Sequence, residues 1–386
     1  MRPLADVRVL DLTRLLPGPF ATLVLADLGA RVDKVEDPHG GDYLRHMPPQ
    51  IGGQNGAFLA LNRGKRSIVL DLKHASGRAA FERMLASYDV LIEQFRPGVL
   101  DRLGLGHGAL RARFPRLIVA AITGYGQDGP LAARAGHDLN YLARAGILGL
   151  TGPEDRAPQP PGFQLADVAG GMWAVLGIMG ALRERERTGE GTVIDVAMSE
   201  SILPFAMVQF GSLAALGEVS RGGEPLTGGI APYATYATKD GGAVALGALE
   251  PKFWRAFCEG VGIPFEMSAM MPGPHQAALK TRLAEIFAAK TRDEWAAFGA
   301  ERDCCLEPVL SPSELRDDPQ LAARSYFLEQ ETRWGRSLQM RLPVGTPAVS
   351  PPPGPGEHTR AILAEAGLTE SEVDALIAAG AARAER

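Results

Sequence analysis

Residues 7–36 read VRVLDLTRLLPGPFATLVLADLGARVDKVE, and this stretch decides the fold. Val7 to Leu10 has the apolar run of a buried strand, and Leu16-Pro17-Gly18-Pro19 is a turn leading into a helix over Phe20 to Leu28. Arg31 to Val35 then predicts the next strand. Further strands are predicted at Ile68 to Leu70, Val90 to Ile92 and Leu117 to Ile122, with helical patterns between them. Strands that alternate with helices imply a parallel sheet covered on both faces, a Rossmann-like α/β layout. The first turn carries Pro17, Gly18 and Pro19 where a dinucleotide fingerprint would place GxGxxG, so nicotinamide or flavin binding is a weak reading.

From Ala135 helices dominate: Gly136 to Leu150, Asp167 to Arg187 and Ser199 to Leu216, with a strand at Thr192 to Val196. After a Gly-rich break, Arg221 to Gly229, the texture changes. Pro232 to Thr238 and Ala243 to Leu246 flank Lys239-Asp240-Gly241-Gly242, a hairpin signal, and Thr291 with Glu294 forms a capping box. The expected organisation is a large Rossmann-like domain over 1–200, completed by 350–386, and a smaller α+β domain over 225–325. Residues 200–225 and 325–350 are expected to be linkers, followed by the Pro-rich stretch Ser350 to Pro355. Two short helices are expected to close the chain, the second opened by Thr369 and Glu372.

Composition narrows the function. The 386 residues are 46% hydrophobic and 22% charged, and the net charge of -5 supplies no basic field for nucleic acid. Anionic ligands must therefore be held by local Lys and Arg. No apolar run approaches the roughly 20 residues that span a bilayer, so no membrane partner is expected. The opening residues run straight into a strand pattern without a signal-peptide core, and a cytoplasmic location is expected. Three cysteines, Cys258, Cys304 and Cys305, make neither a disulfide framework nor a metal-ligand spacing.

Six runs carry a family resemblance: LDLTRLLPGPFAT, LNRGKRSIVLDLK, VLIEQFRPGV, ITGYGQDGP, RERERTGEG and VIDVAMSES. In this order they resemble the family III CoA-transferases (CaiB/BaiF), which include both CoA-transferases and α-methylacyl-CoA racemases. Three blocks are similar to the racemase branch: Gly136-His137-Asp138-Leu139-Asn140-Tyr141, Leu165-Ala166-Asp167, and Gly247 to Trp254 with Glu250. Two positions depart from it, Phe163 where racemases carry Asn and Val168 where they carry Phe. The resemblance implies an acyl-CoA substrate, no metal or cofactor beyond the substrate's own CoA, and an interlocked homodimer.

It also implies a chemistry. Inverting the carbon beside a thioester requires a proton to leave one face and another to arrive on the opposite face, so two acid–base groups are needed. Histidine as a side-chain type suits that role near neutrality, whereas an aspartate needs a buried setting to hold a proton there. The resemblance makes His137 and Asp167 the two bases and Glu250 the partner of His137. Backbone N–H groups at a helix start by Asp167, with Gly170 allowing close approach, are the expected donors to an enolate oxygen. Arg96 is the first candidate for the coenzyme phosphates, with Arg63, Lys65 and Lys34 behind it. Tyr141 touches the thioester or packs. Two other readings stand beside racemisation: CoA transfer with Asp167 as nucleophile, and acyl-CoA binding without turnover.

Overall fold

The computed structural model describes residues 1–385 and divides them into two compact units. The first comprises Met1–Ala145, Phe163–Pro204 and the chain from Pro319 onward; the second comprises Gly146–Gly162 and Phe205–Asp318. Gly146–Gly162, expected in the first domain, thus belongs to the second unit.

A seven-stranded sheet organises the first unit. Its strands are β1 (Arg8–Asp11), β2 (Arg31–Glu36), β3 (Lys65–Leu70), β4 (Val90–Glu93), β5 (Ile118–Thr123), β6 (Val193–Ala197) and β7 (Ala382–Arg383). The order is β7-β3-β2-β1-β4-β5-β6, parallel except for the antiparallel edge strand β7. Without β7 this is the doubly wound order 3-2-1-4-5-6, whose ligand crevice opens at the carboxyl ends of the strands where the order reverses. Fully buried strands such as Ile118–Thr123 read as unbroken apolar runs, as a sheet covered on both faces requires.

Three helices place the residues discussed below: α1 (Pro17–Asp27), α2 (Asp138–Arg144) and α3 (Leu165–Thr188). The predicted helix over Gly136 to Leu150 is shorter, because Gly146 turns out at φ +78°. The closing helices Thr359–Glu365 and Glu370–Ala378 form, and their Ile362, Leu363, Val373 and Leu376 join Ile68, Leu70 and Phe81 in one core. Thr369 and Glu372 make the expected capping box.

Two expectations are corrected. Residues 325–350 contain an antiparallel hairpin, Phe327–Thr332 with Gly335–Met340, tied down where Gln339 Nε2 donates to Leu59 O at 3.1 Å. The Pro-rich stretch after it is largely buried, and Pro353 O accepts from Arg45 at 3.1 Å, so it is packed chain and not a spacer. The stretches Leu165–Thr188 and Met198–Leu216 are long and apolar enough to cross a membrane by length and composition. Half of the most apolar part of the first is buried inside the protein, as in a core helix.

In the second unit, strands Tyr233–Ala237, Ala243–Gly247 and Leu306–Pro308 form an antiparallel sheet, with the expected hairpin between the first two. Helices Pro251–Val261, His275–Phe287 and Arg292–Arg302 accompany it. Its core is aromatic: Phe287 lies 4.8 Å from both the Tyr236 and Trp295 rings and 5.5 Å from Phe257.

Candidate active site

Beyond the carboxyl ends of β4 and β5, a cleft of about 420 Å³ is lined by Arg96, Gly136, His137, Tyr141, Asp167 and Met198, among others. His137 is exposed and immediately precedes α2; its backbone N–H donates to Asn140 Oδ1 at 3.0 Å, which fixes the turn. Tyr141 anchors the same turn from behind, its hydroxyl donating to Gly136 O at 2.5 Å and its ring meeting Tyr125 edge-on at 5.2 Å. A Cβ at Gly124 or Gly136 would come within 2.5 or 2.7 Å of the Tyr141 ring, so both positions require glycine. Tyr141 therefore packs. Burial, and then the nearby Asp167 charge, push its hydroxyl up to about 12.

Asp138 connects the two residues expected to act as acid and base. It follows His137 in sequence, and its Oδ1 accepts the backbone N–H groups of Ala166 at 2.7 Å and Asp167 at 3.1 Å. The position preceding α3, Gln164, offers no side-chain cap, so a carboxylate from another helix supplies one. A first-turn site would ordinarily favour an ionised Asp167. Burial outweighs that, and Asp138 adds like-charge repulsion, so the Asp167 carboxyl is pushed up to about 7. It can hold or release a proton at neutral pH.

The expected enolate donors are a correction. The N–H groups of Ala166 and Asp167 are already taken by Asp138. Gly170 lies in the second turn of α3, where backbone N–H groups are spent on the helix. Its role, with Gly171, is close packing. A Cβ on Gly170 would meet Met198 Cγ at 2.8 Å, and one on Gly171 would meet Pro17 O at 2.6 Å, against α1.

Three of the expected coenzyme cations are also corrected, because they lie inside the protein with partners. Arg63 forms a two-pronged pair with Asp27 at 2.5 and 2.8 Å. Lys34 Nζ donates to Thr13 O at 2.6 Å and lies 3.1 Å from Asp42. Lys65 donates to Pro19 O and Asn62 Oδ1 at 3.0 and 2.9 Å, and burial pulls its ammonium down to about 7. Arg96, by contrast, is exposed and lines the cleft. Sequence reasoning missed Arg134, which lines the cleft three residues before His137, and Arg102, six residues after Arg96.

Arg102 belongs to a second cleft of about 390 Å³ at the carboxyl ends of β1 to β4, together with Arg14 and Lys73. Phe95 borders both clefts and carries the Arg14 guanidinium over its ring at 5.6 Å. Glu250 lies in the second unit, exposed, at the position preceding helix Pro251–Val261.

Doubly wound topology, a cleft at the strand ends, and a protonatable carboxyl sharing that cleft with a histidine define an α/β protein built for acid–base or acyl-group chemistry. The chain belongs to CoA-transferase family III, whose model matches residues 4–359. It is 38% identical to the α-methylacyl-CoA racemase of Homo sapiens over 376 residues, covering 96% of this chain and 95% of the relative. It is 34% identical to the succinyl-CoA:glutarate CoA-transferase of Mus musculus, covering 98% of this chain and 90% of the relative. Among solved structures, a CaiB/BaiF family protein from Brucella suis superposes with a TM-score of 0.83 at 33% identity, over 93% of this chain and 98% of that one. The family is enzymatic and has members of both the racemase and the transferase type.

Proposed function

We propose that this enzyme epimerises 2-methylacyl-CoA thioesters by passing protons between His137, Asp167 and the carbon next to the thioester carbonyl. One base removes the hydrogen, the electron pair moves into the carbonyl to give an enolate, and the other group returns a proton to the opposite face. The observation that carries this reading is an Asp167 pushed up to about 7 in the cleft that His137 lines. A carboxyl poised at neutrality serves equally as acid and as base. In this scheme the coenzyme's nucleotide lies in the second cleft, against Arg14, Lys73 and Arg102, and the acyl end passes Phe95 into the first.

A second reading is CoA transfer between carboxylic acids with Asp167 as nucleophile, supported by the transferase relative. Nucleophilic attack needs the ionised carboxylate, and a carboxyl pushed up to about 7 is partly protonated at neutral pH. That ranks transfer second. The discriminating experiment incubates one enantiomer of a 2-methylacyl-CoA with the enzyme in D2O, without any acceptor acid. Deuterium at C2 together with inversion supports epimerisation. No label and no inversion, with thioester exchange once a free acid is added, supports transfer.

We also propose that the working enzyme is a homodimer. Helix Met207–Leu216 has no buried residue, and Met207, Val208 and Leu216 are 69%, 59% and 68% exposed. An apolar surface of that kind marks an interface. Light scattering tests it directly.

A further inference from the structure

The loop leaving β4 borders both clefts. Phe95 lines each of them, Arg96 and Pro97 line the His137 cleft, and Val99 lines the other. The loop turns at Gly98, φ +79°, and it is fastened from behind. Glu93, the last residue of β4, is buried, and its Oε2 accepts the Phe95 N–H at 2.7 Å. Its Oε1 lies 3.0 Å from Nε2 of His107, the first residue of helix His107–Arg113. Gln94 Oε1 adds a weaker tie to the Gly18 N–H at 3.3 Å. His107 lines neither cleft and has no part in the proton-transfer scheme.

We propose that Glu93 and His107 are a positioning pair that sets the Phe95–Arg96 loop for coenzyme binding, and that the setting loosens as His107 loses its proton. The inference rests on the reading of the two clefts as the acyl-CoA site. With the imidazole protonated, the bond to Glu93 is charge-assisted and the buried carboxylate has its counter-charge. When the imidazole is neutral that counter-charge is gone, and the carboxylate holding Phe95 is less well satisfied. Three anionic groups act on His107: Glu93 of β4, Asp101 of helix Val99–Arg102, and Asp195 of β6. The Glu93 hydrogen bond is the largest influence; burial opposes it, the three charges reinforce it, and the imidazole's pKa is raised. Coenzyme affinity is therefore highest below that pKa and falls as pH rises through it.

The test is calorimetric titration of free coenzyme A into the full-length wild type, His107→Gln and His107→Ala, from about pH 6 to about pH 9. Wild-type Kd should rise about tenfold across the range. The Gln variant, a donor that does not titrate, should bind with little pH dependence. The Ala variant should bind about tenfold more weakly at low pH, with KM raised accordingly and kcat within about twofold of wild type. The inference is overturned if His107→Gln keeps the wild-type pH dependence, if His107→Ala binds as wild type does, or if the loss falls on kcat. Should His107→Ala fail to fold, the pH profile of His107→Gln decides alone. A wild type that binds no coenzyme A would overturn the cleft assignment, and this inference with it.

Discussion

Replacing Asp138 by Asn separates the two things this residue does. The Asn side chain keeps an oxygen to accept the Ala166 and Asp167 N–H groups, now at 2.7 and 3.1 Å, so the start of α3 stays capped. The negative charge beside Asp167 is removed. Asp167 stands at about 7 against a reference of 3.8, with burial the larger cause and Asp138 the smaller. Loss of the smaller cause should lower it by about one unit, or ~1.4 kcal/mol. In the proposed two-base scheme Asp167 must be ionised to take the proton from one enantiomer, so the acid limb of kcat/KM for that enantiomer follows Asp167. In Asp138→Asn that limb should move about one unit toward acid, and the plateau should fall several-fold because Asp167 becomes a weaker base. The assay is the pH dependence of C2 deuterium exchange, with thermal unfolding as a control. A variant profile that superimposes on wild type, or moves toward alkali, would refute the reasoning.

Other expectations follow from the same geometry. Asp167 binds its proton more tightly folded than unfolded, so its contribution to stability falls as pH rises from about 4 to about 7. Asp167→Asn should abolish inversion yet stabilise the fold above pH ~7, by at most ~4 kcal/mol, with the gain vanishing near pH ~4; denaturant titrations at the two ends check this. Arg63→Ala should strand the buried Asp27 and cost ~3–5 kcal/mol in unfolding experiments, through stability and not through a weakened contact to coenzyme. Gly171→Ala should push α3 off the Pro17 carbonyl of α1 and lower stability by ~1–3 kcal/mol, read as a fall in Tm. Tyr141→Phe should lose the bond to Gly136 O, costing about 1 kcal/mol, and should reduce kcat more than KM by loosening the His137 turn.

The β1-α1-β2 unit is legible because Val9-Leu10 and the Val32/Val35 pair mark short strands set off by turn residues on either side of the α1 pattern, a local property. The edge strand β7 was not: two residues, Ala382 and Arg383, become a strand only because Val69 and Leu70 lie beside them. The 327–340 hairpin reads as a linker in sequence because its polar residues, Glu329, Gln330, Glu331 and Arg336 among them, mask the alternation of a strand pair.

In the cleft, His137 and Asp167 could be picked out from their motifs, but their environment could not. The rise in Asp167 depends on burial and on Asp138, distant in sequence by nearly thirty positions. Lys34 and Lys65 looked available because charge is usually a surface property. Their places in buried strands, opposite Asp11 and Asp42, are set by tertiary pairing. Gly170 was misassigned by a shift of two residues: α3 begins at Leu165 and not at Asp167, which moves the glycine into the second turn, where its N–H is no longer free.

The central claim is that His137 and Asp167 serve opposite faces of one carbon. It is tested most directly by following C2 hydrogen exchange in D2O for each enantiomer separately, with His137→Gln and Asp167→Asn. Each variant should wash the hydrogen out of one enantiomer only, without inversion, and the two variants should select opposite enantiomers. If both variants exchange the same enantiomer, or if His137→Gln inverts the substrate as wild type does, the two-base account is contradicted.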